Sequence, residues 1–240
     1  MKKSEELKSI LTGIVNEVAN DWNSKERESF TMERFLELEW LKDGQFYIED
    51  KKNRDALKNI YFKYDHTVFT SESLGGGYFV IHEPFGSKCS PDYLFITPVG
   101  IFGIEDKSNN NEKLEWNTGS PGEDKIITFF QKTEKKVYLF TSWEYGWTKE
   151  IGDEYYKFKT KMKELAAEAF RQQFHKYGDA IKKITYYARP HLIDGNNIVK
   201  DIYDPEETNV KKVLEKFLDG VEHDINVKSK ETIYIQGKLF

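Results

Sequence analysis

Apolar positions recur at helical spacing through the first 64 residues of the chain. Between residues 4 and 22 they fall three and four apart, which predicts an amphipathic helix. A second helix is predicted over 31–41, with Thr31 as its N-terminal cap, and a third over 52–64. The inner sides of these helices are expected to carry Leu7, Ile10, Leu11, Ile14, Val15 and Val18, then Phe35, Leu38 and Leu41, then Leu57, Ile60, Tyr61 and Tyr64.

Short apolar runs, typical of strands, follow the break at Gly75-Gly76-Gly77. The runs at 93–97 and 101–104 are apolar on both faces, as expected of interior strands covered from both sides. This order of elements predicts an α/β fold in which helices flank a central mixed β-sheet. The other predicted strands are 78–82, 125–130, 136–141, 183–188 and 232–235. A helix is predicted at 153–177, with Tyr155, Phe158, Met162, Leu165, Ala169 and Phe170 on one side. A last helix starts at Asp204-Pro205 and is marked by Val210, Val213, Leu214, Phe217 and Leu218.

Composition favours one large domain. The 240 residues carry a net charge of −5 and are 38% apolar and 15% aromatic. A chain of this size and composition can bury a core without disulfide bonds or structural metals. Cys89 is the only cysteine, so a disulfide framework or a thiolate zinc site within one chain is excluded. No signal peptide or membrane span is recognisable, so we expect a cytoplasmic protein. The single domain is predicted to consist of a helical N-terminal part (1–70), a core (75–200) and a C-terminal helix and strand (201–240).

Three adjacent charges end an otherwise apolar strand. Glu105 and Lys107 are two apart and share one face of the strand, whereas Asp106 points to the other. Charge at the end of a core strand is unfavourable unless it is paired or holds a metal. Two carboxylates that face each other repel, and a hard cation such as Mg²⁺ relieves that repulsion.

The turn Thr97-Pro98-Val99-Gly100 sets which carboxylates meet. A two-residue loop places Asp92 opposite Glu105, with Cβ atoms about 4.5–5.5 Å apart. Because Pro98 fixes φ near −65°, a type I turn with Gly100 as a bulge is at least as compatible, and it places Asp92 opposite Asp106. The sequence leaves both registers open.

Pro91-Asp92, twelve intervening residues and then Glu105-x-Lys107 resemble the PD-(D/E)xK nuclease superfamily. The hairpin with its following loop at 116–121 resembles type II restriction endonucleases in particular. The resemblance implies a restriction-endonuclease-like core, with 75–200 as the catalytic part. It further implies a homodimer that cuts double-stranded DNA at a short specific sequence and leaves a 5′-phosphate and a 3′-hydroxyl.

The same resemblance assigns roles to four residues of the motif. Asp92 and Glu105 would bind Mg²⁺, for which Mn²⁺ can substitute, helped by the backbone carbonyl of Asp106. Lys107 would orient the attacking water and stabilise charge at the scissile phosphate. A further carboxylate often completes such sites, and Glu33, Glu37, Glu39 and Glu83 are candidates, although solvated surface is the more common role for each.

Cationic side chains suited to a polyanion concentrate between residues 155 and 189, where nine lysines and arginines stand against three acidic residues. Arg189 and His191 enter a polar loop, at a strand end from which side chains can reach base edges. Lys113 and Asn117, in the loop after the motif, are candidates for the same kind of contact with DNA. Lys88, beside the motif, completes the set of candidate DNA-binding residues.

Two other functions fit the same residues. Asp92-Tyr-x-Phe-Ile-Thr-Pro-x-Gly-Ile101 also resembles nuclease-related NERD domains, which implies a repair or defence nuclease without strict sequence preference. The third interpretation is a non-catalytic interaction module whose hairpin carries incidental charges.

Overall fold

The architecture is that of a computed structural model of the chain. It describes residues 1–20, 27–63, 66–87, 89–110, 114–116, 125–133, 136–141, 148–178, 186, 192–193 and 209–219.

Helices occupy both ends of the described chain, and strands occupy its middle. They are α1 (Lys3–Asn20), α2 (Arg27–Leu36), α3 (Gln45–Glu49), α4 (Lys51–Phe62), α5 (Lys149–Phe174) and α6 (Asn209–Leu214), with a π-helical turn at Glu215–Asp219 and 3₁₀ turns at Ser71–Leu74 and His175–Tyr177. The strands are β1 (Leu41–Asp43), β2 (Tyr78–His82), β3 (Tyr93–Thr97), β4 (Gly100–Asn109), β5 (Glu115–Trp116), β6 (Lys125–Gln131), β7 (Lys136–Thr141) and β8 (Leu192–Ile193).

Six of the described strands form one mixed sheet in the order β1-β2-β3-β4-β6-β7. The pairs β1–β2 and β4–β6 are parallel, and the other three pairs are antiparallel. The small strands β5 and β8 pair with each other. The predicted α/β class, a mixed sheet flanked by helices, is confirmed.

The sheet has two faces with different covers. On the first face, α1, α2 and α6 pack against residues such as Tyr93, Phe95 and Phe102. The rings of Phe35 and Tyr93 meet edge to face with centroids 5.1 Å apart, which anchors α2 to this face. We call the opposite face the site face. Its cover consists of two apolar clusters, one around α4 and one around Trp116.

The sequence pattern located most elements but misplaced the second helix. α2 begins at Arg27 and ends at Leu36, so Thr31 is a buried residue inside the helix and not its cap. The predicted helix 31–41 was wrong at its C-terminal end, because the chain turns and enters β1 at Leu41. β1 and α3 span only three and five residues, and such short elements show no period.

α5 corresponds to the helix that the sequence predicts over 153–177. It begins at Lys149, where the side chain of Thr148 caps it by accepting a hydrogen bond from the Ile151 N–H. The apolar side of this helix is largely exposed: Phe158 and Leu165 are 55% and 53% accessible. Its more buried side carries Gly152 and the half-buried Lys159, Lys163, Phe170 and Phe174.

Two predicted strands fall on residues that the structure does not describe. They are 183–188, apart from Tyr186, and 232–235. Within the described ranges, no helix combines the length and hydropathy needed to cross a bilayer.

Candidate active site

The β3–β4 turn is a two-residue loop. Thr97 pairs with Gly100, and the ladder continues to Tyr93 opposite Ile104. The Thr97 hydroxyl donates to the Gly100 carbonyl at 2.8 Å and accepts from the Val99 N–H at 3.3 Å. The positive φ, 145°, falls on Gly100, so Pro98 keeps its required negative φ. The bulged register that places Asp92 opposite Asp106 is therefore not adopted.

Asp92 reaches the site face one residue before β3. Extending the ladder by one residue sets it opposite Glu105. The backbone N–H of Asp106 donates to Asp92 Oδ2 at 2.7 Å, and the N–H of Glu83 donates to the Asp92 carbonyl at 2.7 Å. Both main-chain bonds fix the carboxyl beside β4.

Gly103 makes room for this approach. A Cβ at this position would lie 2.9 Å from both Cβ and Cγ of Pro91 and would overlap the hydroxyl of Tyr61. Only a glycine lets Pro91, which follows a cis peptide bond, lie directly on β4 next to Asp92. The absence of a side chain at Gly103 thus lets the loop that carries Asp92 lie against β4.

Glu105 and Lys107 form an ion pair on the site face. The Lys107 ammonium donates to Glu105 Oε1 and lies 5.3 Å from the ring centroid of Trp116. The side chains of Glu105 and Lys107 are 3% and 14% exposed. Glu105 is therefore the inner member of the pair, and Lys107 is the member nearer to solvent.

Lys125, which sequence analysis did not assign to the site, is a second cation there. It pairs with Gly103 at the start of β6 and is 5% exposed. Its Nζ donates to Ser90 Oγ at 2.6 Å, and its charge acts on both Glu105 and Asp92. The available signal was a lysine opening a strand that is otherwise apolar, since a buried lysine requires a partner.

The surroundings of Asp92 and Glu105 shift the pKa values of these two carboxyl groups in opposite directions. Burial, reinforced by the charges of Glu105 and Asp106, raises the pKa of Asp92 to about 8. Burial acts the same way on Glu105, but Lys107 and then Lys125 outweigh it and hold the pKa of that carboxyl below its ordinary value. Burial lowers the pKa of Lys125, although Glu105 opposes this shift.

The residues fit a small divalent cation. Oε2 of Glu105 is buried and receives no hydrogen bond. Asp92 retains a proton near neutral pH because burial, and then the charges of Glu105 and Asp106, raise its pKa. A cation would satisfy the first oxygen and replace the proton on the second. Within the described residues no group of three or more His, Cys, Asp or Glu side chains is arranged for a metal. Two carboxylates suffice for Mg²⁺, which commonly keeps several of its water ligands.

The side chain of Asp106 belongs to the other face, since Asp106 pairs with Thr128 and alternates with Glu105. Only its backbone remains available to the site.

The other carboxylate candidates differ in position. Glu33, Glu37 and Glu39 are exposed on or just after α2, which packs against the opposite face of the sheet. Glu37 pairs with Arg34 at 2.7 Å, as expected of a surface residue. Glu83 adjoins Asp92 through its backbone, with an unusual φ of 45°.

All five candidate DNA-binding residues lie outside the residues that the structure describes. They are Lys88, Lys113, Asn117, Arg189 and His191.

No protein-family model, curated protein or solved structure matches the chain. The case for a function therefore rests on the residues and geometry above.

Proposed function

We propose that this protein is a Mg²⁺-dependent endonuclease of double-stranded DNA, of the PD-(D/E)xK type and restriction-enzyme-like. It would act in the cytoplasm as a homodimer and cut at a short specific sequence. The observation that supports this most is the register of β3 and β4, which sets Asp92 opposite Glu105 with Lys107 two residues further on the same face.

The two carboxylates would hold the cation together with the Asp106 carbonyl. Asp92 would release its proton on binding, whereas Glu105 is ionised already because Lys107 and Lys125 stabilise its charge. A cation bound there would lower the pKa of a water molecule and shield the phosphoryl oxygens.

Lys107 would act on the reacting groups. An ammonium has three N–H donors, so its bond to Glu105 leaves capacity for the attacking water and a phosphate oxygen. Lys107 lies nearer to solvent and can reach a polyanion, whereas Lys125 is buried and cannot. Donors aimed at developing negative charge contribute about 10²–10³-fold to rates. In-line attack would break the P–O3′ bond and leave a 5′-phosphate.

The test is cleavage of long duplex DNA in Mg²⁺, with sequencing of the ends. Wild type and the matched control Asp55→Asn, an exposed aspartate on α4, should give the same discrete fragments, and Asp92→Asn should give none. Equal cleavage by Asp92→Asn would overturn the proposal. Random ends would instead favour a nuclease without sequence preference, and no cleavage by any variant would favour an interaction module.

A further inference from the structure

An apolar stripe runs along the exposed side of α5. Ile151, Phe158, Met162 and Leu165 are 44%, 55%, 40% and 53% exposed. Tyr155 and Ala169 complete the stripe, whose six members are therefore residues 151, 155, 158, 162, 165 and 169. Successive members are four, three, four, three and four residues apart. This alternation is the a/d repeat of a coiled coil, and it covers residues 151–169, about 27 Å of helix.

The stripe is not the most buried side of α5. Gly152 is buried and Lys159 and Lys163 are half-buried, about 100° round the helix from the stripe. Lys159 lies close enough to Cys89 for the two to interact electrostatically. Phe170 and Phe174, both half-buried, lie on the same side of the helix. In the stripe itself only Tyr155 is half-buried, and the other five members are exposed.

We propose that this stripe pairs α5 with α5 of a second copy of the chain, as a parallel, in-register two-helix coiled coil. Exposed apolar area of this extent marks an interaction surface, and closed pairs of identical subunits are the commonest assembly. The inference names the interface of the homodimer but does not depend on the nuclease activity.

Charges beside the stripe favour this occupant and this orientation. In a parallel pair each residue at position g faces position e of the other helix, five residues further on. Glu154 then meets Lys159 of the second copy, and the remaining pairs, Lys161 with Ala166 and Glu168 with Gln173, contain no like charges.

An antiparallel pair with full overlap is disfavoured by the same charges. It would set Glu154 against Glu168 and Lys161 against its own counterpart. A membrane surface is a poorer fit as well, because interfacial helices carry mainly Lys and Arg on their polar side. Here Glu154 and Glu168 alternate with Lys161 directly beside the stripe.

Sedimentation velocity of the full chain tests the pairing. Wild type should sediment as a dimer of the 28.3 kDa chain. Phe158→Glu with Leu165→Glu should be monomeric with unchanged far-UV circular dichroism, since both side chains are exposed. Tyr156→Glu with Tyr177→Glu is the matched control: these residues are 72% and 57% exposed but lie off the stripe, so the dimer should persist.

Cysteine crosslinking tests the register. In a Cys89→Ser background, Met162→Cys should form an intermolecular disulfide in high yield on mild oxidation, and Tyr156→Cys should not. A monomeric wild type, a dimer unaffected by the stripe variants, or no crosslink through position 162 would overturn the proposal. A monomer that binds phosphatidylglycerol vesicles through the stripe would overturn it in favour of a membrane surface.

Discussion

The ammonium of Lys125 donates a hydrogen bond to Ser90 Oγ across 2.6 Å, and both residues are buried. This contact joins the start of β6 to the loop that delivers Asp92, two residues after Ser90. Lys125 also adds a second positive charge that acts on Glu105, besides that of Lys107. The two ammonium groups together stabilise the ionised Glu105 before any cation binds.

Lys125→Met should affect stability and the pH dependence of cleavage together. Removing one member of a buried charge cluster costs about 3–5 kcal/mol of unfolding free energy. Because Lys125 holds the pKa of Glu105 down, its loss should raise that pKa and shift the acid limb of kcat/KM to higher pH. Lys132→Met, at a half-buried position just after β6, serves as the control. An acid limb that stays in place would show that Lys125 has only a structural role.

Stability without divalent cations should fall as pH rises. Asp92 ionises near 3.8 in the unfolded chain and near 8 in the folded protein, so between these values the folded state holds the extra proton. The free energy of unfolding therefore decreases from about pH 4 to about pH 8. Tm measured in EDTA from pH 5 to 9 should show this slope, and Asp92→Asn should reduce it.

Asp55→Asn, an exposed aspartate on α4, should leave that slope intact. Mg²⁺ should restore part of the lost stability at pH 8, since it binds the folded state and replaces the proton. An unchanged slope in Asp92→Asn would show that Asp92 is not the group whose pKa is raised by burial and by the charges of Glu105 and Asp106.

Lys107→Met should separate chemistry from cation binding. The Lys107 side chain is the more exposed member of its pair with Glu105, so its loss should lower kcat about 10²–10³-fold. Calorimetric Mg²⁺ affinity should not fall, because a positive charge is removed from beside the carboxylates. A parallel loss of cation binding would contradict the separate role assigned to Lys107.

Gly103→Ala should disrupt the site through sterics alone. The added methyl would meet Pro91 at 2.9 Å and overlap the hydroxyl of Tyr61, forcing the Asp92 loop away from β4. We expect a lower Tm and loss of cleavage, and adding Tyr61→Phe should recover part of the Tm. Gly13→Ala is the control: its methyl meets nothing within 4 Å, and the change should stabilise α1 by about 1 kcal/mol. Full activity of Gly103→Ala would refute this packing requirement.

Periodicity was sufficient for the long elements because their apolar residues do face one side. Leu7, Leu11 and Ile14 of α1 are each at most 3% exposed, as the spacing predicts. The same spacing also located α5, but it does not show whether the surface that covers an apolar stripe lies within the chain or on a partner.

The site was only partly predictable for a related reason. Alternation along β4 correctly separates Glu105 and Lys107 from Asp106, because it is a local property of the strand. The register depended on Gly100 taking the positive φ that Pro98 cannot. The contact of Lys125 with Ser90 joins residues 35 apart in sequence, and no local pattern encodes it.

Calorimetric titration with Mg²⁺ and Mn²⁺ tests most directly whether Asp92 and Glu105 form a cation site. Wild-type protein at pH 8 should show saturable binding, with protons released as Asp92 gives up its own. The doubly neutralised protein, Asp92→Asn with Glu105→Gln, should show no binding while remaining folded. Equal binding by both proteins, or none by the wild type, would contradict the account.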